Sequence, residues 1–210
     1  MTKSADLIAY FSKKTRLPVD LNEVKDWLLQ RSYQDEINFL PSDLDTGVIR
    51  GFLKRVRRKY GWDIETRDIS NIYYDQSQGA DWINLVVAKE LIHILDAARC
   101  STKEEYEKLR KSLALPNDLK NMLSSPDFAL MDKLGSIPAA AILLPLAARE
   151  LLLPAYEAKV LTDEIIAELA VIPIQHVRSV MSSDWPDVHA ILVNGATDDT
   201  HDDDSSSTDA

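Results

Sequence analysis

The chain has 210 residues, 45% of them apolar, and a formal net charge of −10. That is enough length and apolar content for one domain with a real core, or one domain and a small appendage. No apolar run suffices to cross a bilayer, since the most apolar stretch, residues 137–153, is interrupted by Pro138, Pro145, Arg149 and Glu150, and Asp6, Lys13 and Lys14 break any signal-peptide core at the N-terminus.

Residues 4–14 read as a short amphipathic helix with Leu7, Ile8, Tyr10 and Phe11 inward. Leu17-Pro18 breaks it, because a residue before proline avoids helical angles. Asp20 then caps a second helix over 21–31, with Glu23 in a capping-box position. Residues 48–60 fit either a helix or a strand. They carry a basic cluster, Lys54, Arg55, Arg57, Arg58 and Lys59, which reads first as a solvated face and second as a patch for an acidic partner. Residues 64–74 form the better strand, with Ile69, Ile72, Tyr73 and Tyr74 as β-formers.

Residues 82–98 make a helix apolar around most of its circumference, with Asp81 as its cap, so it belongs in the core. Cys100, the only cysteine, forms no internal disulfide, which fits a reducing cytoplasm. Residues 102–115 read as a charged helix ended by Pro116, followed by short helical pieces over 118–123 and 127–134 and a break over 135–138. A strongly apolar helix over 139–153 follows, kinked or split at Pro145. Residues 162–170, capped by Thr162, and 174–181 form a helix pair, and an irregular end begins at Trp185-Pro186. Residues 197–210 hold six Asp and little that is apolar, and are expected to be a disordered acidic tail on a single domain over 1–196. Without that tail the body carries about −4, so direct nucleic-acid binding is not expected.

One motif carries chemistry. In H-E-x-x-H, two His at i and i+4 share a helix face and bind zinc, and the Glu acts as general base. Residues 89–93 read Lys-Glu-Leu-Ile-His. Glu90 and His93 hold the second and fifth places, and Lys89 holds the first, where a positive charge repels a metal ion.

The order of elements adds to the motif: strands, a near H-E-x-x-H helix, a later helix with Ala148-Arg149-Glu150-Leu151-Leu152-Leu153-Pro154, and the pair over 161–182. Together they resemble the ImmA/IrrE family of metallopeptidase-like proteins. The resemblance implies an α+β, mostly helical zincin-like domain, with a small sheet of two or three strands packed on the central motif helix and a C-terminal helix pair. It also implies a third metal ligand, a Glu, which falls near Ala141 when the Leu-Leu-Leu-Pro ends are aligned. Two readings follow from these residues. One is a zinc metallopeptidase with Glu90 as base, His93 on the metal, and Asp96 or Asp132 as replacement ligands. The other is a degenerate site in which Lys89 replaces the metal's charge and pairs with a carboxylate. By resemblance the partner or substrate is a regulatory protein such as a transcriptional repressor. The alternative class is a non-catalytic interaction module, such as a prophage or antitoxin-like accessory protein.

Overall fold

A computed structural model of the chain describes residues 4–32, 34–46, 49–60, 65–96 and 128–194. Helices α1 (Ser4–Phe11) and α2 (Leu21–Arg31) lead into strands β1 (Glu36–Ser42), β2 (Gly51–Tyr60) and β3 (Glu65–Asp75). Helix α3 (Ala80–Asp96) follows, then α4 (Phe128–Leu143), α5 (Leu146–Glu157), α6 (Asp163–Ala170), α7 (Ile174–Met181) and α8 (Trp185–Asn194). The fold is α+β, with helices packed on a three-stranded mixed sheet. The expected helix over 102–115, the pieces over 118–123, Cys100 and the acidic tail lie outside the described residues.

The sheet order is β1-β3-β2, with β1 parallel and β2 antiparallel to β3. Alternation divides its residues between two faces. Ile37 and Ile72, on the face towards α3, are completely buried. Helix α3 lies between this face and α4, so it is buried around most of its girth: Leu85, Val86, Val87, Ala88, Leu91 and Ile92 all belong to the core. Close approach needs a residue without a side chain. A Cβ built on Gly51 of β2 would stand 2.4 Å from Val86 Cγ1 and 2.7 Å from the Tyr73 carbonyl oxygen. Glycine there lets α3 settle onto the strand.

Local signals placed several ends correctly. Asp20 accepts from the Asn22 backbone N–H at 2.8 Å, and Thr162 caps α6 through the Ile165 N–H. The C-terminal helices are tied down by Arg149, only 3% exposed. It donates to the carbonyls of Val180 at 2.7 Å and Ser182 at 2.9 Å, at the end of α7. Val180 lies in the last turn of α7, where carbonyls have no partner within the helix, and the Ser182 carbonyl just beyond it also accepts from the Trp185 N–H at 3.4 Å; the fixed fork of a guanidinium suits both carbonyls at once.

Strand β1, which pairs with β3, brings the sheet to three strands, within the expected two or three. Three expectations need correction. Residues 135–138 are not a break, because α4 runs through Pro138; Ala139 to Leu144 are each at most 1% exposed, and that burial holds the helix against proline's lost hydrogen bond. The apolar helix does not end at Pro154: the chain breaks at Pro145, and α5 continues to Glu157. Trp185-Pro186 opens α8 instead of an irregular end, since proline is tolerated in a first turn. Among the described residues no single helix is long and apolar enough to cross a membrane. Gly135–Leu143 and Leu146–Glu157 pass that test only as a pair bent by 76°.

Candidate functional site

Lys89, Glu90 and His93 lie on the C-terminal half of α3. On a helix, residues i and i+4 share a face. Lys89 and His93 therefore point together, and the structure shows at what. A Cβ built on Gly135 of α4 would lie 3.2 Å from Lys89 Cγ and Cδ and 3.6 Å from His93 Nε2. The first and fifth places of the motif thus face one small residue on the next helix. His93 keeps an exposed position.

Glu90 is buried, 5% exposed. Its Oε1 lies 3.1 Å from Lys89 Nζ, with the two side chains 6% and 13% exposed. A buried carboxylate is costly unless paired. The adjacent ammonium provides that pairing within one turn of helix. A lysine ammonium donates three hydrogen bonds and offers no lone pair, so it cannot ligate a metal.

Strand β2 supports the end of this helix. Arg55 Nη2 donates to the Ile94 carbonyl at 2.6 Å and to the His93 carbonyl at 3.4 Å. A cation at a helix C-terminus is favourable. Burial pulls the Arg55 pKa below its ordinary value, and the Asp68 charge partly opposes that shift. One member of the expected solvated basic face is therefore a helix cap. Nothing in its sequence neighbourhood signals this, because the contact spans 39 residues.

Beside Lys89 is a cavity of about 130 Å3, bounded by Trp82, Val86, Ser136 and His176. The Arg50 guanidinium lies 3.9 Å from the Trp82 ring centroid. His176 meets the same ring edge-on at 6.3 Å. His176 is half-buried in this stack. On the other side of α3 a groove of about 800 Å3 runs between the Pro18–Val19 turn and Asn84.

The remaining expected residues fall as follows. Asp96 ends α3, and Asp132 lies in α4 three residues before Gly135; the side chains of both are outside the described residues. Ala141 is completely buried, six residues beyond Gly135. The part of α4 opposite the motif is therefore around Gly135 and Ser136. Among the described residues no three His, Cys, Asp or Glu side chains come together as a metal site. Of the expected site residues, Glu90 and His93 are those whose side chains are described, and a catalytic zinc takes three protein ligands and a water. His189, expected in an irregular segment, is buried on α8 at 6% exposure, and burial pulls its pKa below the ordinary value.

In comparisons with known proteins, the chain matches no protein-family model, no curated protein and no solved structure.

Proposed function

We propose that the chain is a zincin-like domain of the ImmA/IrrE type in which the Lys89–Glu90 ion pair stands in place of the metal. On this reading it works in the cytoplasm by holding a regulatory protein, without cutting it. The observation that carries the proposal is the 3.1 Å contact between Lys89 Nζ and Glu90 Oε1, both nearly buried. In a working site the carboxylate at the second motif place would polarise a metal-bound water. Here it faces an ammonium, and the lysine supplies the positive charge that the metal would bring. The positions of Lys89 and His93 against Gly135 support the likeness to a motif helix facing its partner helix.

The test is the metal content of purified protein, read by elemental analysis and by zinc titration of the native chain and of His93→Ala. The proposal expects less than stoichiometric zinc and no change on His93→Ala. One tightly held zinc, lost in His93→Ala, would reject the metal-free reading and make the site that of a metallopeptidase.

A further inference from the structure

The groove of about 800 Å3 has the volume of a site for a small organic molecule. Ile83 and Val87 of α3 line it, and they share a helix face because they are four residues apart. Val87 and Lys89 are two residues apart, about 200° around the helix, so the groove and the motif use opposite sides of α3. Across from the helix, alternation along the strands sets Ile37 with Phe39, and Ile72 with Tyr74, on one face of the sheet. Ile37 and Ile72 are completely buried. Phe39 and Tyr74, two residues further along their parallel strands, are half-buried and line the groove. The apolar layer between sheet and α3 is thus sealed in the middle of β1 and β3 and opens into the groove towards their C-terminal ends.

The charges of the lining decide what kind of molecule suits it. Lys14 and Glu23 neutralise each other across 3.0 Å. Arg16 and Asp20 flank the Leu17-Pro18-Val19 turn with opposite signs, and Asp20 is held by the Asn22 N–H at 2.8 Å and by the Asn22 side-chain amide at 3.0 Å. These two cations and two anions are the charged residues of the lining, which therefore carries no net charge. An ion settling there would give up hydration without meeting a net counter-charge. The walls are aromatic as well as aliphatic. Lys25 lies over the Phe39 ring at 5.6 Å and covers one face of it, and Tyr74 adds a second ring. Aromatic rings meet other rings offset or edge-on, so a flat ring system suits such a wall. Asn84 donates its amide to the Val171 carbonyl at 3.3 Å, which leaves its side-chain oxygen as an acceptor.

We propose that this groove is a binding site for an uncharged, ring-bearing organic molecule, whose apolar body lies against Phe39, Tyr74, Ile83 and Val87 and whose polar group meets Asn84 or the Tyr74 hydroxyl. This goes beyond the reading of the Lys89–Glu90 pair and does not depend on it.

The test uses the full chain and a pair of fluorescent probes that differ by a single group. Phenylnaphthylamine is uncharged, and anilinonaphthalene sulfonate adds a sulfonate to the same rings. The uncharged probe should bind at one site per chain, about tenfold or more tightly than the sulfonate, which finds no net counter-charge. Ile83→Trp and Leu21→Trp each place an indole in the groove. Each should weaken binding of the uncharged probe about tenfold or more. Circular dichroism and thermal midpoints show that the fold is kept, and either variant alone suffices if the other does not fold. Failure of the uncharged probe to bind overturns the proposal, as does equal or tighter binding of the sulfonate. A folded variant that binds the uncharged probe as well as the native chain also overturns it. So does a chain that dimerises in sedimentation and loses probe binding as it does so, because a second copy would then fill the groove.

Discussion

Lys89 and Glu90 are neighbours in sequence, and in the folded chain the ammonium of one lies 3.1 Å from the carboxylate of the other, out of reach of most solvent. The pair has an energetic consequence that a surface pair would not have. Removing one partner takes the opposite charge away from a group that stays buried, at a cost of about 3 kcal/mol. Removing both charges costs far less. Lys89→Met should therefore destabilise the fold by about 3 kcal/mol, and adding Glu90→Gln should recover most of that loss. Urea denaturation of the four chains in this cycle measures it. If the two single losses simply add, the residues are not coupled and the ion pair contributes nothing.

Gly51 carries a second, purely steric prediction. An added methyl group meets Val86 Cγ1 at 2.4 Å and the Tyr73 backbone oxygen at 2.7 Å. The first contact can be relieved by a side-chain shift; the second is main chain of the adjoining strand. Gly51→Ala should cost about 1–3 kcal/mol, the usual range for overpacking. Gly51→Ala with Val86→Ala should not restore native stability, because the Tyr73 contact remains. Thermal midpoints of the two variants check this.

How far these features were legible depends on how local their causes are. The helix pair over 163–181 could be read because Thr162 and the apolar spacing lie within each helix. Strand β3 could be read from its β-branched and aromatic residues. Strand β1 could not: Glu36-Ile37-Asn38-Phe39-Leu40-Pro41 contains a proline, and its partner lies 33 residues away. Helix α4 defeated a reading that took glycine and proline as breakers, because the burial that overrides them comes from other elements. The same division holds at the site. Lys89, Glu90 and His93 stand out as a motif, whereas Gly135 and Arg55 reach it only through packing.

His189 should give the fold a pH dependence with a definite sign. The residue is 6% exposed, its Nε2 has no hydrogen-bond partner among the described residues, and desolvation lowers its pKa from 6.5. Below pH 6.5 the unfolded chain takes up a proton that the folded chain does not. Its contribution is complete above that pH and declines as the pH falls towards the folded value, by at most about 1.4 kcal/mol per pH unit. Asp68, Asp75 and Asp163, whose pKa values are lowered from 3.8 by their hydrogen bonds, lose their contributions only at more acid pH. The native thermal midpoint should therefore drop between pH 6.5 and 5, and His189→Leu should flatten that part of the curve. An unchanged slope in the variant would assign it to other groups.

The last prediction asks what a metal would need at the motif. Lys89→His removes the cation and supplies an imidazole four residues before His93, on the face that meets Gly135. Zinc affinity should rise about tenfold or more, a gain of about 1.4 kcal/mol or more. A third donor should act from position 135, whose Cβ direction lies 3.6 Å from His93 Nε2, and not from the buried position 141. Removing the Lys89 side chain also clears the closest contact to a new Cβ there. Lys89→His with Gly135→Asp should thus bind zinc more tightly than Lys89→His alone, while Lys89→His with Ala141→Glu should gain nothing and lose stability through a buried carboxylate. Isothermal titration of zinc into the three variants compares them directly. Higher affinity from position 141 than from 135 would mean that α4 lies against α3 in another register, and the placement of the site would have to be redrawn.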